Sequence, residues 1–177
     1  MHIPDDQFDR SDTGQLLSRH RDNCSKLRAM VSCLGKAIID FAPDAKGGWS
    51  IREHVIHVAD TQARTFVAYR RLVADGDTEV DLGYDDHDDF TRLVKYDSLD
   101  LEDSLEVVEI LGRVMANHMS QMTDQQMEGS RTNQSQRTIT VKRLLWVNVL
   151  HLEDHLAQIE RNLDLCAEVN GGTVWLL

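Results

Sequence analysis

The sequence predicts an all-α protein: a four-helix bundle with a long crossover between its second and third helices. Three observations predict it. Four stretches place apolar residues at helical spacing. Only two prolines, Pro4 and Pro43, interrupt 177 residues. No stretch reads convincingly as a strand. The length suits one domain spanning residues 1–177, with room for a real core.

Residues 1–11 are polar and begin Met1-His2-Ile3-Pro4-Asp5-Asp6, without the basic and apolar regions of a signal peptide. Helix one is expected from about Asp12 to Phe41, on the stripe Leu16, Leu17, Leu27, Met30, Val31, Leu34 and Ile38. Asp12 or Thr13 is its N-cap. Gly35 lies inside it, and Pro43 pushes Ala42 out of the helical region and ends it. Residues 44–48 form a turn. Ser50 followed by Glu53 is a capping box, so helix two starts at Ile51 and runs to about Ala74, with Gly76 as its stop.

Residues 75–98 are acidic and turn-rich, with a short helical piece at Phe90 to Tyr96. Antiparallel neighbours need only a short loop. These 24 residues, at about 3.3 Å each, can instead return along a helix of about 40 Å. Helix three is therefore expected to run parallel to helix two, with residues 77–98 crossing the bundle. It spans Leu101 to about Met122, with Asp100 as cap and Glu102-Asp103 in the favoured acidic first turn. After the polar segment 124–138, helix four covers Ile139 to Cys166. Gly171-Gly172 closes it, before the apolar tail Thr173-Val174-Trp175-Leu176-Leu177.

The net charge of -11 argues against a general nucleic-acid binder or an anionic-membrane binder, either of which needs a basic face. No run approaches transmembrane length. Cys24, Cys33 and Cys166 form no C-x-x-C, and an odd count suggests reduced thiols in a cytoplasmic protein.

The chemistry concentrates in His151-Leu152-Glu153-Asp154-His155 on helix four. Residues four apart share a helix face, so the two imidazoles can serve one metal ion. Such a pair on an arbitrary helix is more often solvated than metal-bound. The zincin pattern H-E-x-x-H fails at Leu152, and the inverted H-x-x-E-H meets the shorter Asp154. Helix two adds His57 on its apolar side. His57, His151 and His155 would supply three nitrogens and leave a fourth position open, as a catalytic zinc site does. For His57 alone, a hydrogen-bonded core histidine is the better reading. His54, three residues before His57, competes as a residue that backs a ligand or lies at the rim. Asp60 and Gln158 are candidates for orienting the ligands or lining the mouth, and solvated positions serve equally well for both. Glu53 is explained by the cap. A ferritin-like di-iron site is excluded, because no Glu-x-x-His occurs. A hydrolase built on a serine or cysteine nucleophile has no G-x-S-x-G and no cysteine next to a histidine in sequence to support it.

Trp49-Ser50-Ile51-Arg52-Glu53-x-x-x-His57-x-x-Asp60 resembles the opening of helix two in the DinB-like superfamily. His151-x-x-x-His155-x-x-Gln158-Ile159 resembles its helix-four signature, about a hundred residues later as in that family. The resemblance implies a bundle with the crossover inferred above, commonly dimeric. It also implies a divalent metal at His57, His151 and His155. Zinc suits imidazole best; nickel, iron or manganese are the alternatives. The implied activity is thiol-dependent S-transfer with a low-molecular-weight thiol, or hydrolysis. Glu153-Asp154, where relatives often carry bulkier or basic residues, bears on the substrate rather than the metal. The competing expectation is a non-enzymatic metal-binding or stress-response bundle, with its fourth metal position closed, for instance by His54.

Overall fold

In the computed structural model, described for residues 8, 11–43, 48–74, 94–132 and 138–169, four long helices form the bundle. They are α1 (Thr13–Val31), α3 (Ile51–Val73), α4 (Leu101–Met119) and α6 (Val141–Val169). Two single-turn helices, α2 (Lys36–Ile39) and α5 (Asp124–Met127), and a 3₁₀ turn at Tyr96–Ser98 join them. Each long helix whose start was assigned a cap begins at it. The Asp12 carboxylate accepts from the Gln15 amide, Asp100 accepts from Asp103, and Ser50 and Glu53 form the reciprocal box.

Ion pairs and hydrogen bonds between helices fix their directions. Arg19–Glu153 and Lys26–Glu160 pair in ascending order, so α1 and α6 are parallel. His57 meets His151 while Thr65 meets Asn148, so α3 and α6 are antiparallel. Arg28 reaches Glu102 and Glu109 while Arg21 reaches Asn117, so α1 and α4 are antiparallel. It follows that α3 and α4 are parallel. The Arg52 guanidinium, at the start of α3, donates to the Leu99 carbonyl, just before α4, at 3.1 Å. The end of α3 at Val73 and the start of α4 at Leu101 therefore lie at opposite ends of the bundle, as the length of the connection predicts.

The interior has two apolar halves. One gathers Leu16, Tyr69, Met115, Met119, Leu145 and Trp146. The other gathers Leu27, Val55, Leu105, Leu152, Leu156 and Ile159. Between them lies a buried polar layer of His20, Gln62, Thr65 and Asn148. Gln62 Nε2 lies 3.1 Å from His20 Nε2, and the Asn148 amide donates to the Thr65 hydroxyl at 3.2 Å. Gly112 of α4 leaves room for this layer, since a Cβ there would stand 2.7 Å from Cys24 Sγ.

Four expectations are corrected. Helix one does not continue to Phe41. It ends at Val31, with Ser32 as C-cap, and restarts as α2 behind an extended Gly35. A glycine in a helix interior costs about 1 kcal/mol relative to alanine, and the break lets Ile38 and Ile39 turn into the core. The polar segment after helix three contains strands after all. β1 (Ser130–Thr132) and β2 (Thr138–Thr140) pair antiparallel, with Arg131 opposite Ile139. Helix three ends at Met119 rather than Met122, and helix four starts at Val141 because Ile139 belongs to β2. The expectations for most of residues 1–11, for the turn at 44–47, Gly76 and the acidic connection through residue 93, and for the tail from residue 170 lie outside the described residues.

Candidate metal centre

α3 and α6 build the site between them. The capping box starts α3 at Ile51, which turns His54 and His57 toward α6. α6 presents His151 and His155 from consecutive turns. Nε2 of His57 lies 3.0 Å from Nε2 of His151, and Nε2 of His155 lies 3.1 Å from the same atom. Ligand atoms of the three rings all fall within 4.8 Å of one another. His57 and His155 are 2% and 6% exposed, whereas His151 is half-buried, so the cluster opens to solvent on the His151 side.

The donor set fits a divalent cation. Three imidazole nitrogens bound at 2.0–2.1 Å with tetrahedral angles stand about 3.3 Å apart. The observed separations are close to that. His151 Nε2 has a single in-plane position, a proton or a lone pair, yet faces two ring nitrogens. Neutral rings can make only one of those contacts a full hydrogen bond. A cation can accept all three lone pairs at once.

His54 does not join the three. Its Nδ1 lies 2.9 Å from Nδ1 of His155, the nitrogen on the far side of that ring from the cluster. Burial of the His54 ring, aided by the nearby Arg161 charge, pushes its pKa down to about 4. His54 is thus neutral at neutral pH.

Trp49 walls the site. Its ring stacks at 17° to His155 and lies edge-on to His57, with centroids 6.1 and 5.0 Å apart. Asn162 holds it there, donating to the Trp49 carbonyl at 2.7 Å. Sequence reasoning missed Asn162, although it sits in the apolar stripe of helix four, two turns beyond His155 and beside Ile159 and Leu163. A lone buried amide in such a stripe is a signal for a specific partner.

The remaining candidates fall around the rim. Asp60 accepts from the buried Tyr96 hydroxyl, which ties the 3₁₀ turn to α3. Burial and this carboxylate raise the pKa of Tyr96. Gln158 donates to Asp154 at 2.7 Å on the exposed side of α6. Glu53 serves the cap. Glu153 is bound by Arg19 and Asn23 of α1, so it fastens two helices.

No helix among the described residues is long and apolar enough to cross a membrane. No curated protein sequence matches the chain. Among solved structures it is similar to YfiT from Bacillus subtilis, described as a probable metal-dependent hydrolase with an unusual four-helix bundle topology. The two share 20% identity at a TM-score of 0.76, over 97% of this chain and 92% of that one. The sequence model of the DinB superfamily matches residues 16–159, which include His57, His151 and His155. The protein belongs to the DinB superfamily.

Proposed function

We propose that the protein is a divalent-metal-dependent enzyme whose ion is held by His57, His151 and His155. The observation that carries this reading is the convergence of three Nε2 atoms while His54 is turned onto the back of His155. Among the described residues the group contains three histidines and no fourth ligand, which favours an open position over the closed site of a structural metal. A divalent ion there supplies Lewis acidity, enough to bring the pKa of water to about 7 or to take a thiol as its thiolate. Zinc suits the three imidazoles, with nickel, iron and manganese as alternatives.

The residues around the ion set the course of a reaction. His57 and His155 are shielded by Trp49, so a small substrate approaches past His151. Hydrolysis is supported by the description of the similar YfiT. Transfer of a low-molecular-weight thiol to an electrophile is the other chemistry the DinB resemblance implies. Three cysteines, an odd count with no C-x-x-C, fit a reducing cytoplasm. Exposed Val107, Ile110 and Val114 on one face of α4 fit a homodimer.

Untagged protein purified without added metal should contain about one divalent ion per chain by elemental analysis. Ester or amide hydrolysis, or thiol conjugation, should be lost on chelation and in His151→Ala. Activity indifferent to both treatments would overturn the reading.

A further inference from the structure

We propose that His54 is the positioning residue of the metal centre, fixing His155 as the tautomer whose Nε2 is free to bind the cation. This rests on the metal-site reading above. A neutral imidazole carries one proton, on Nδ1 or on Nε2. To offer its Nε2 lone pair, His155 must keep the proton on Nδ1. That proton needs an acceptor, because His155 is buried. His54 Nδ1 stands 2.9 Å away, within hydrogen-bond distance to accept it.

The acceptor is itself held. His54 is 3% exposed and comes from the first turn of α3, which the capping box anchors. Its ring lies 5.5 Å from the Trp49 ring, and Asn162 pins Trp49. His54 and His57 sit at i and i+3 on one helix, so one rigid element carries both a metal-facing nitrogen and the group that orients its neighbour. A histidine ligand more usually gives its second nitrogen to a carboxylate or a carbonyl. An imidazole acceptor brings no negative charge, so it orients His155 without adding the basicity that a carboxylate confers. The cation therefore keeps more of its acidity than it would beside a carboxylate.

Two measurements test this. Long-range proton–nitrogen NMR on the zinc-free wild-type protein should show His155 protonated at Nδ1, with a His54 acceptor coupled to it. Cobalt(II) titration against a competing chelator should show His54→Val binding about 10–100-fold more weakly than wild type at unchanged stoichiometry. His54→Asn, which restores an acceptor oxygen, should recover most of the loss. His54→Asp should bind at least as tightly as wild type. Retention of the Nδ1 proton on His155 in His54→Val, together with cobalt affinity within about twofold of wild type, would overturn the role of His54 while leaving the metal site standing. A wild-type protein that takes up no cobalt would overturn the metal-site reading itself. His155 protonated at Nε2 in the zinc-free protein would overturn the proposal without any variant.

Discussion

The Asn162 amide donates to the carbonyl of Trp49 across 2.7 Å, tying the residue just before the N-cap of α3 to the last third of α6. Asn162 is buried, so its loss leaves the Trp49 carbonyl without that donor. Asn162→Ala should lower stability by about 1–3 kcal/mol. It should also free Trp49 to move, visible as a red shift and quenching of tryptophan fluorescence. Unchanged melting and emission would show that Trp49 is held by packing alone.

Removing any one of the three converging imidazoles leaves two nitrogens. His57→Ala, His151→Ala and His155→Ala should each abolish tight metal binding without unfolding the bundle. Because each ring must be neutral to bind, affinity in the wild type should fall on acidification. Full metal content in both His151→Ala and His155→Ala would show that the ion sits elsewhere.

Acid should weaken the metal-free fold before the carboxylates titrate. His54 stays neutral in the folded chain down to about pH 4, whereas an unfolded histidine titrates near 6.5. Below 6.5 the unfolded state binds more protons, so stability present above that pH is lost as pH falls toward 4. His54 alone accounts for about 2 kcal/mol of loss between pH 6.5 and 5. His20, whose pKa is lowered chiefly by burial, acts in the same direction. Urea midpoints measured with chelator present should fall over this range. A flat profile would place the His54 ring in water.

Gly112 is a packing glycine. Alanine would gain about 1 kcal/mol of helix propensity but would drive a Cβ to 2.7 Å from Cys24 Sγ and 3.5 Å from the His20 ring. Overpacking a buried layer costs about 1–3 kcal/mol. Gly112→Ala should therefore melt at or below the wild-type temperature, and Gly112→Val well below it. A clear rise in melting temperature for Gly112→Ala would show that the thiol moves aside freely.

The helices were legible because each carries its own evidence. Ser50 and Glu53 bracket one start, Asp100 marks another, and the stripe from Leu144 to Leu163 keeps helical period throughout. The parallel run of α3 and α4 followed from the length of the connection alone. The pairing of His151 with His155 is local, so spacing sufficed; His57 was a candidate third ligand from its place on helix two, and the family resemblance weighed it against a core histidine. The break at Gly35 was visible only as a weak signal, since burial of Ile38 and Ile39 decides it. The ribbon of β1 and β2 has three residues per strand, too few to show alternation. The contact between His54 and His155 and the layer of His20, Gln62 and Asn148 depend on how helices cross, which no single stretch encodes.

The pairing of the first long helix with the last has a kinetic consequence. Arg19 and Glu153, which meet across α1 and α6, are 134 residues apart in the chain. His57 and His151 are 94 apart. An up-and-down bundle can close neighbour by neighbour, but here most lateral partners arrive only after long loops have closed. Folding should be slower than is usual for an all-helical protein of this size. On a ribosome, α1 and α3 can meet α4 first, but the faces they turn to α6 stay uncovered until α6 emerges. Uptake of the ion would then be a late event, and its spectroscopic onset a clock for the completion of the fold.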